Sequence, residues 1–251
     1  MPPCWPAPVL QRSPLTPAHL SRRIAMPPGR RPMSPPSPHQ PPSEAPRASG
    51  GGWQTRRWSL YAPIYDRVAA RILRSARRDA IATLDIQAGT RVLLLGGGTG
   101  LDLPFLPRDI ELEVIDASPA MLSRCRERAE TLGFDANVKP GDAMALDFPD
   151  GYFDVVIAHL IIAVVPQPQR AFDEALRVLA SDGELSLLDK GLRGNRPAGR
   201  LRRLLNPLAR LVATNLNVPL DNLLEGHAVQ RLEDRDLGPG GALRHMHLRK
   251  I

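Results

Sequence analysis

Apolar and polar positions alternate along this chain in two recurring rhythms. From Arg67 to Leu84 the spacing is helical, with Val68, Ile72, Ala76 and Ala80 on one side and Arg67, Arg71, Arg74, Arg77 and Arg78 largely on the other. Arg91–Leu95 is then a short apolar run ending in glycines, the pattern of a buried strand. Glu111–Ile115, Ala136–Lys139, Tyr152–Ala158 and Glu184–Leu188 read as further strands. Two helices lie between them. Pro119–Leu132 has Ser118 as N-cap and proline at its first position, and Gln167–Leu179 stops before Asp182-Gly183. Strands and helices in this alternation predict βαβ units around a parallel sheet, with right-handed crossovers placing helices on both faces. Ala228–Arg235 and Leu243–Arg249, joined by Gly238-Pro239-Gly240-Gly241, predict a closing antiparallel hairpin. The expected fold is α/β and Rossmann-like: a doubly wound, mostly parallel sheet of seven strands with a C-terminal antiparallel hairpin.

The first 52 residues break this texture. They hold 15 of the 27 prolines, six arginines and a single acid, Glu44. Such a stretch buries too little apolar surface to offset its ordering entropy, so residues 1–52 are expected to be a disordered extension ahead of one domain at 53–251. Prolines interrupt every apolar stretch, which excludes a secretory signal. They also argue against the amphipathic helix of an organelle leader, and Met26 and Met33 stand as alternative starts.

Composition and charge narrow the partners. The formal net charge is +7, but six Arg less Glu44 put +5 of it in the extension, leaving +2 beyond residue 52. With aromatics at 4%, no base-stacking platform is evident, and no nucleic-acid partner is expected. Two cysteines, Cys4 and Cys125, suggest neither a disulfide framework nor a metal site. No apolar run reaches the roughly 20 residues of a membrane-spanning helix. The expected setting is cytoplasmic.

The candidate chemistry begins at Gly96-Gly97-Gly98-Thr99-Gly100, where a buried strand runs into glycines and toward a helix start. Glycine permits a tight turn and close approach of backbone to a ligand, and free N–H groups at a helix start favour polar or anionic groups. A dinucleotide fingerprint would need glycine at position 101, where Leu101 stands, and the Lys-Ser/Thr ending of a P-loop is absent. Asp116 ends the second strand 20 residues after Gly96, the place of an acid that accepts from ribose hydroxyls in Rossmann-like sheets.

Taken together, Gly96–Gly100, Ile115-Asp116-Ala117-Ser118-Pro119 with Met121-Leu122, Gly141-Asp142-Ala143, and Phe148-Pro149-Asp150 with Phe153-Asp154-Val155-Val156 resemble the successive motifs of class I S-adenosylmethionine (SAM) methyltransferases. The resemblance spans about Tyr61 to Leu188. It implies SAM as cofactor, with Gly96, Gly97, Gly98, Thr99 and Gly100 under the methionine part. It also implies Asp116 and Ala117 at the ribose, Met121 near the adenine, Asp142 and Ala143 at the adenine edge, and His159 and Leu160 bordering the methyl group. Tyr61–Asp66 matches a segment that folds over the cofactor, making Tyr65 and His159 the catalytic candidates. The family usually carries an acid at the position of Leu94; a non-catalytic SAM-fold protein is therefore the reading of another class.

For the acceptor, Val155–Pro168 is similar to the bacterial phosphatidylethanolamine N-methyltransferases. Tyr61–Asp66 is shared with these and with the ubiquinone/menaquinone C-methyltransferases. Arg193–Val212 sets Leu201, Leu204, Leu205, Leu208 and Leu211 against six arginines with no acid, the pattern of a segment lying on an anionic membrane surface or of an ordinary helix packing its leucines on the sheet. The expected acceptor is a lipid or hydrophobic small molecule, phospholipid amine first, quinone ring second, with a soluble small molecule open. Oligomeric state is not legible.

Overall fold

Strand pairing begins where the apolar runs lie. The computed structural model describes residues 73–192, 218–237 and 243–251. The 1–52 extension, the Tyr61–Asp66 segment with Tyr65, the basic Arg193–Val212 run and the Gly238-Pro239-Gly240-Gly241 turn therefore lie outside the described residues. Strands β1 (Arg91–Leu95), β2 (Glu111–Asp116), β3 (Ala136–Pro140), β4 (Phe153–His159), β5 (Leu179–Asp189), β8 (Val229–Leu237) and β9 (Leu243–Lys250) form one seven-stranded sheet in the order β3-β2-β1-β4-β5-β9-β8. The first five are mutually parallel, while β9 runs antiparallel to both β5 and β8. Two short strands, β6 (Gly191–Leu192) and β7 (Val218–Pro219), pair separately.

Side chains of successive strand residues point to opposite faces, and the register carries that alternation across the sheet. Leu93, Leu95, Val156, Ala158, Leu185, Leu187, Met246 and Leu248 pack on one face with Ala171, Phe172, Ala175 and Leu176 of helix α3 (Pro168–Val178). Val92, Leu94, Val114, Val155 and Ile157 pack on the other with Leu122, Cys125 and Ala129 of helix α2 (Pro119–Leu132). Helix α1, described over residues 73–81, covers the second face further along through Ala76 and Ala80 against Leu188 and Leu243.

Three features differ from expectation. The helix anticipated after the glycine loop is only a 3-10 turn, Leu103–Phe105; Pro104 and Pro107 supply no N–H for a continuing α-helix. β5 begins at Leu179 rather than Glu184, because pairing with β4 spans Asp182-Gly183: Phe153 pairs with Leu179 and Val155 with Glu184, with residues 180–183 opposite the single Asp154. Arg77, assigned to the solvent side of α1, is 5% exposed and ion-paired to Asp102.

Candidate cofactor and active site

The strand order reverses between β1 and β4. In open α/β sheets the crevice beyond the carboxyl ends of the strands at such a point is where ligands bind. The glycine loop leaves β1 on one side of it, and His159 ends β4 on the other.

The loop has two kinds of glycine. At Gly97 an added Cβ would lie 2.4 Å from Val114 Cγ1, so packing under the loop forbids a side chain. Gly98 has φ +55°, and a Cβ there would meet nothing nearer than Met121 Sδ at 3.8 Å. Its main chain thus lies beside Met121 with no close packing against it, a cradle that fits a ligand approaching the main chain. Thr99 is buried, and Arg128 from α2 hydrogen-bonds its carbonyl.

Asp116 ties this loop to α2. Its Oδ2 accepts the Gly98 N–H at 2.9 Å and its Oδ1 the Ser118 N–H at 2.8 Å. Each carboxylate oxygen keeps lone-pair capacity for a further donor. Burial pushes the Asp116 carboxyl above its ordinary value, against the pull of those two N–H groups. The neighbouring strand end is joined to it, since the Gly141 N–H donates to the Asp116 carbonyl at 3.1 Å. The following Asp142 is exposed and accepts the Met144 N–H at 2.9 Å, with Ala143 buried beside it and Ala117 exposed on the near side. Gly96–Gly100, Asp116, Ala117, Met121, Asp142 and Ala143 thus line the carboxyl ends of β1, β2 and β3.

Across the crevice, Leu160 has φ +62°, a left-handed conformation that costs a branched residue, and its N–H donates to the Leu188 carbonyl at 2.7 Å. Asp189, at the end of β5, fixes the same loop: its Oδ2 accepts the Ala163 N–H at 2.9 Å and its Oδ1 the Lys190 N–H at 2.7 Å. Burial raises the Asp189 carboxyl, against these N–H donors. His159 has a side chain only 1% exposed. Its Nδ1 lies 2.8 Å from Asp102 Oδ1 and its Nε2 2.9 Å from Ser186 Oγ, so both ring nitrogens are engaged within the protein.

Asp102, Ser186, His245 and Asp189 were not singled out in the sequence. A signal existed for one of them: Ser186 is a polar residue inside a strand, flanked by the buried apolar Leu185 and Leu187. Leu94 is 1% exposed in the apolar cluster of Leu103, Leu122 and Ile157, so no acid stands at that point. Among the described residues, no group of three or more His, Cys, Asp or Glu is placed to hold a metal ion.

Comparison with known proteins accords with this geometry. A family model described as a methyltransferase domain matches residues 93–187. The chain is 31% identical over 188 residues to a phosphatidylethanolamine N-methyltransferase of Cereibacter sphaeroides, covering 74% of this chain and 90% of that one. It is 37% identical over 124 residues to a ubiquinone/menaquinone biosynthesis C-methyltransferase of Roseobacter denitrificans, covering 47% of this chain but only 48% of that relative. The YcgJ protein of Bacillus subtilis shares the fold, with a TM-score of 0.60 at 18% identity over 70% of this chain and 98% of that one. The fold is that of a Rossmann-like methyltransferase. The chain belongs to the class I SAM-dependent methyltransferase family and is a SAM-dependent enzyme.

Proposed function

We propose that this enzyme methylates a lipid-borne acceptor, with the amine of a phosphatidylethanolamine-like headgroup as the leading substrate. The observation that carries this reading is the similarity to a phosphatidylethanolamine N-methyltransferase over 90% of that relative's length. SAM supplies an activated methyl on a sulfonium, so the protein's task is to position the acceptor and exclude water. In this reading Gly96–Gly100 lie under the methionine part, Asp116 and Ala117 hold the ribose, and Met121, Asp142 and Ala143 border the adenine. His159, Leu160 and Tyr65 border the transferred methyl. The loosely packed main chain of Gly98 and the spare acceptor capacity of Asp116 support the cofactor half of this assignment. Amine methylation asks for a pocket that desolvates the amine; ring methylation would also require a base to raise carbon nucleophilicity.

Quinone-ring methylation is the second reading, favoured by the 37% identity to a quinone C-methyltransferase over the shared 124 residues. Incubating the protein with methyl-labelled SAM and a total lipid extract separates the two. Label in a phospholipid headgroup supports the proposal and label in a quinone selects the alternative. Label in neither, with S-adenosylhomocysteine binding intact, rules out a lipid acceptor. Among the described residues no helix is long and apolar enough to cross a membrane. Membrane contact is proposed instead at the surface, through the basic Arg193–Val212 run. Co-sedimentation with acidic vesicles at low salt tests it, and no binding there removes it.

A further inference from the structure

The ladder between β1 and β4 ends at Leu94 and Ile157. Beyond it the two walls of the crevice diverge, one continuing as the glycine loop and the other as His159 and the loop after it. Ile161 packs across onto Gly96. One polar link also crosses: Asp102, two residues past Gly100, meets His159 at 2.8 Å, both groups at most 5% exposed.

The link belongs to a longer buried chain. Arg77 of α1 is ion-paired to the far oxygen of Asp102. Burial alone would raise the Asp102 carboxyl, but Arg77 and His159 outweigh it and hold the group well below the usual carboxylate range. Ser186 Oγ lies 2.9 Å from His159 Nε2 and 3.0 Å from His245 Nε2, and Ser186 and His245 are both fully buried. Among the described residues, His245 Nδ1 has no hydrogen-bond partner.

Donor counting gives this chain a direction. A carboxylate only accepts, so His159 Nδ1 carries the proton toward Asp102. A buried N–H without a partner is rarer and costlier than a spare lone pair, so His245 Nδ1 is the lone pair and Nε2 its donor. Ser186 Oγ then accepts from His245 and donates to His159 Nε2. Ser186 and His245 thereby fix the tautomer whose Nδ1–H points at Asp102. In this arrangement neither nitrogen of His159 has a lone pair free to take a proton from an acceptor.

We infer that Asp102 and His159 are positioning residues that set the separation of the two crevice walls on which cofactor binding depends, with Ser186 and His245 orienting the ring and Arg77 compensating the charge. This rests on the cofactor reading above. It gives His159 a role through Asp102 rather than as a base.

The test uses the full chain and S-adenosylhomocysteine, titrated calorimetrically into His159→Asn, His159→Gln and Asp116→Ala proteins. A side-chain amide at Asn stands near the place of Nδ1, and one at Gln near the place of Nε2. His159→Gln loses the bond to the Asp102 carboxylate and is expected to bind about tenfold more weakly, the scale of a lost charged hydrogen bond. His159→Asn keeps that donor and is expected to recover most of the loss. Equal affinities in the two variants would overturn the inference, since the ring would then only fill space. Wild-type affinity in both, with methyl transfer to phosphatidylethanolamine vesicles lost, would also overturn it, in favour of a base. Unchanged affinity in Asp116→Ala would instead sink the cofactor reading itself. Should the His159 variants not fold, the Nδ1–H resonance of His159 in histidine-labelled wild-type protein must move on adding S-adenosylhomocysteine. A resonance that stays put refutes the link.

Discussion

Asp116 carries the most consequence of any single side chain in the proposed cofactor site. Its two oxygens already accept from Gly98 and Ser118, so it shapes the loop and offers an acceptor at once. Replacing it with alanine should weaken S-adenosylhomocysteine binding by roughly ten-fold or more, as expected for loss of a charge-assisted hydrogen bond. The raised carboxyl adds a pH signature. Ribose hydroxyls donate best to the ionised form, so affinity should hold in neutral solution and begin to fall, as pH drops, earlier than for an ordinary aspartate. The Asp116→Asn protein should bind weakly with no such dependence. A wild-type titration flat through the carboxylate range would place the ribose elsewhere.

At the scale of elements, helix α2 shows how much the sequence alone dictates. Ser118 precedes Pro119 at the first helical position, and its side chain accepts the Met121 N–H at 3.4 Å. Gly133 ends the helix at φ +72° and donates back to the last turn. The Ser118→Ala substitution should cost about 1 kcal/mol, measured by chemical unfolding. No measurable loss would mean the long 3.4 Å contact does not cap. Both ends were legible because caps and apolar spacing are local properties. The same locality explains why β1 and the glycine loop could be placed, and Asp116 with them. What escaped depends on distant partners. Arg77 sits on a helix whose other described arginines, Arg74 and Arg78, are exposed, and the ion pair with Asp102, 25 residues on, helps make its burial tolerable. Asp102, His159, Ser186 and His245 converge from four segments, with separations of 57, 27 and 59 residues. Nothing in helical or strand periodicity encodes such a meeting. The register shift at Asp182-Gly183 escaped for a related reason. The pair reads as a turn, and only the partner strand β4 reveals that pairing already begins before it, at Leu179.

For the whole molecule, buried carboxylates pull stability in opposite directions with pH. Asp102 and Glu184 are both pushed up by burial, but charged and hydrogen-bonding neighbours outweigh this and lower them: Arg77 and His159 for one, Arg249, the Asp85 N–H and His247 for the other. Their stabilisation is fully present above the ordinary carboxylate range and is lost as pH falls through their depressed folded values. Asp189 works the other way. Burial raises it, so the folded chain holds its proton more tightly than the unfolded chain. Stability is therefore lost as pH rises from the ordinary aspartate value to the raised one, and the loss persists above it. An asparagine there cannot titrate, and the acceptor oxygen it gives up costs the same at every pH. Comparing thermal midpoints of wild-type and Asp189→Asn proteins between about pH 4 and about pH 7 isolates the ionisation of Asp189. The variant should gain on the wild type as pH rises. A constant difference would mean that Asp189 ionises in the fold as it does in the unfolded chain, and that the loop after β4 is held without electrostatic cost.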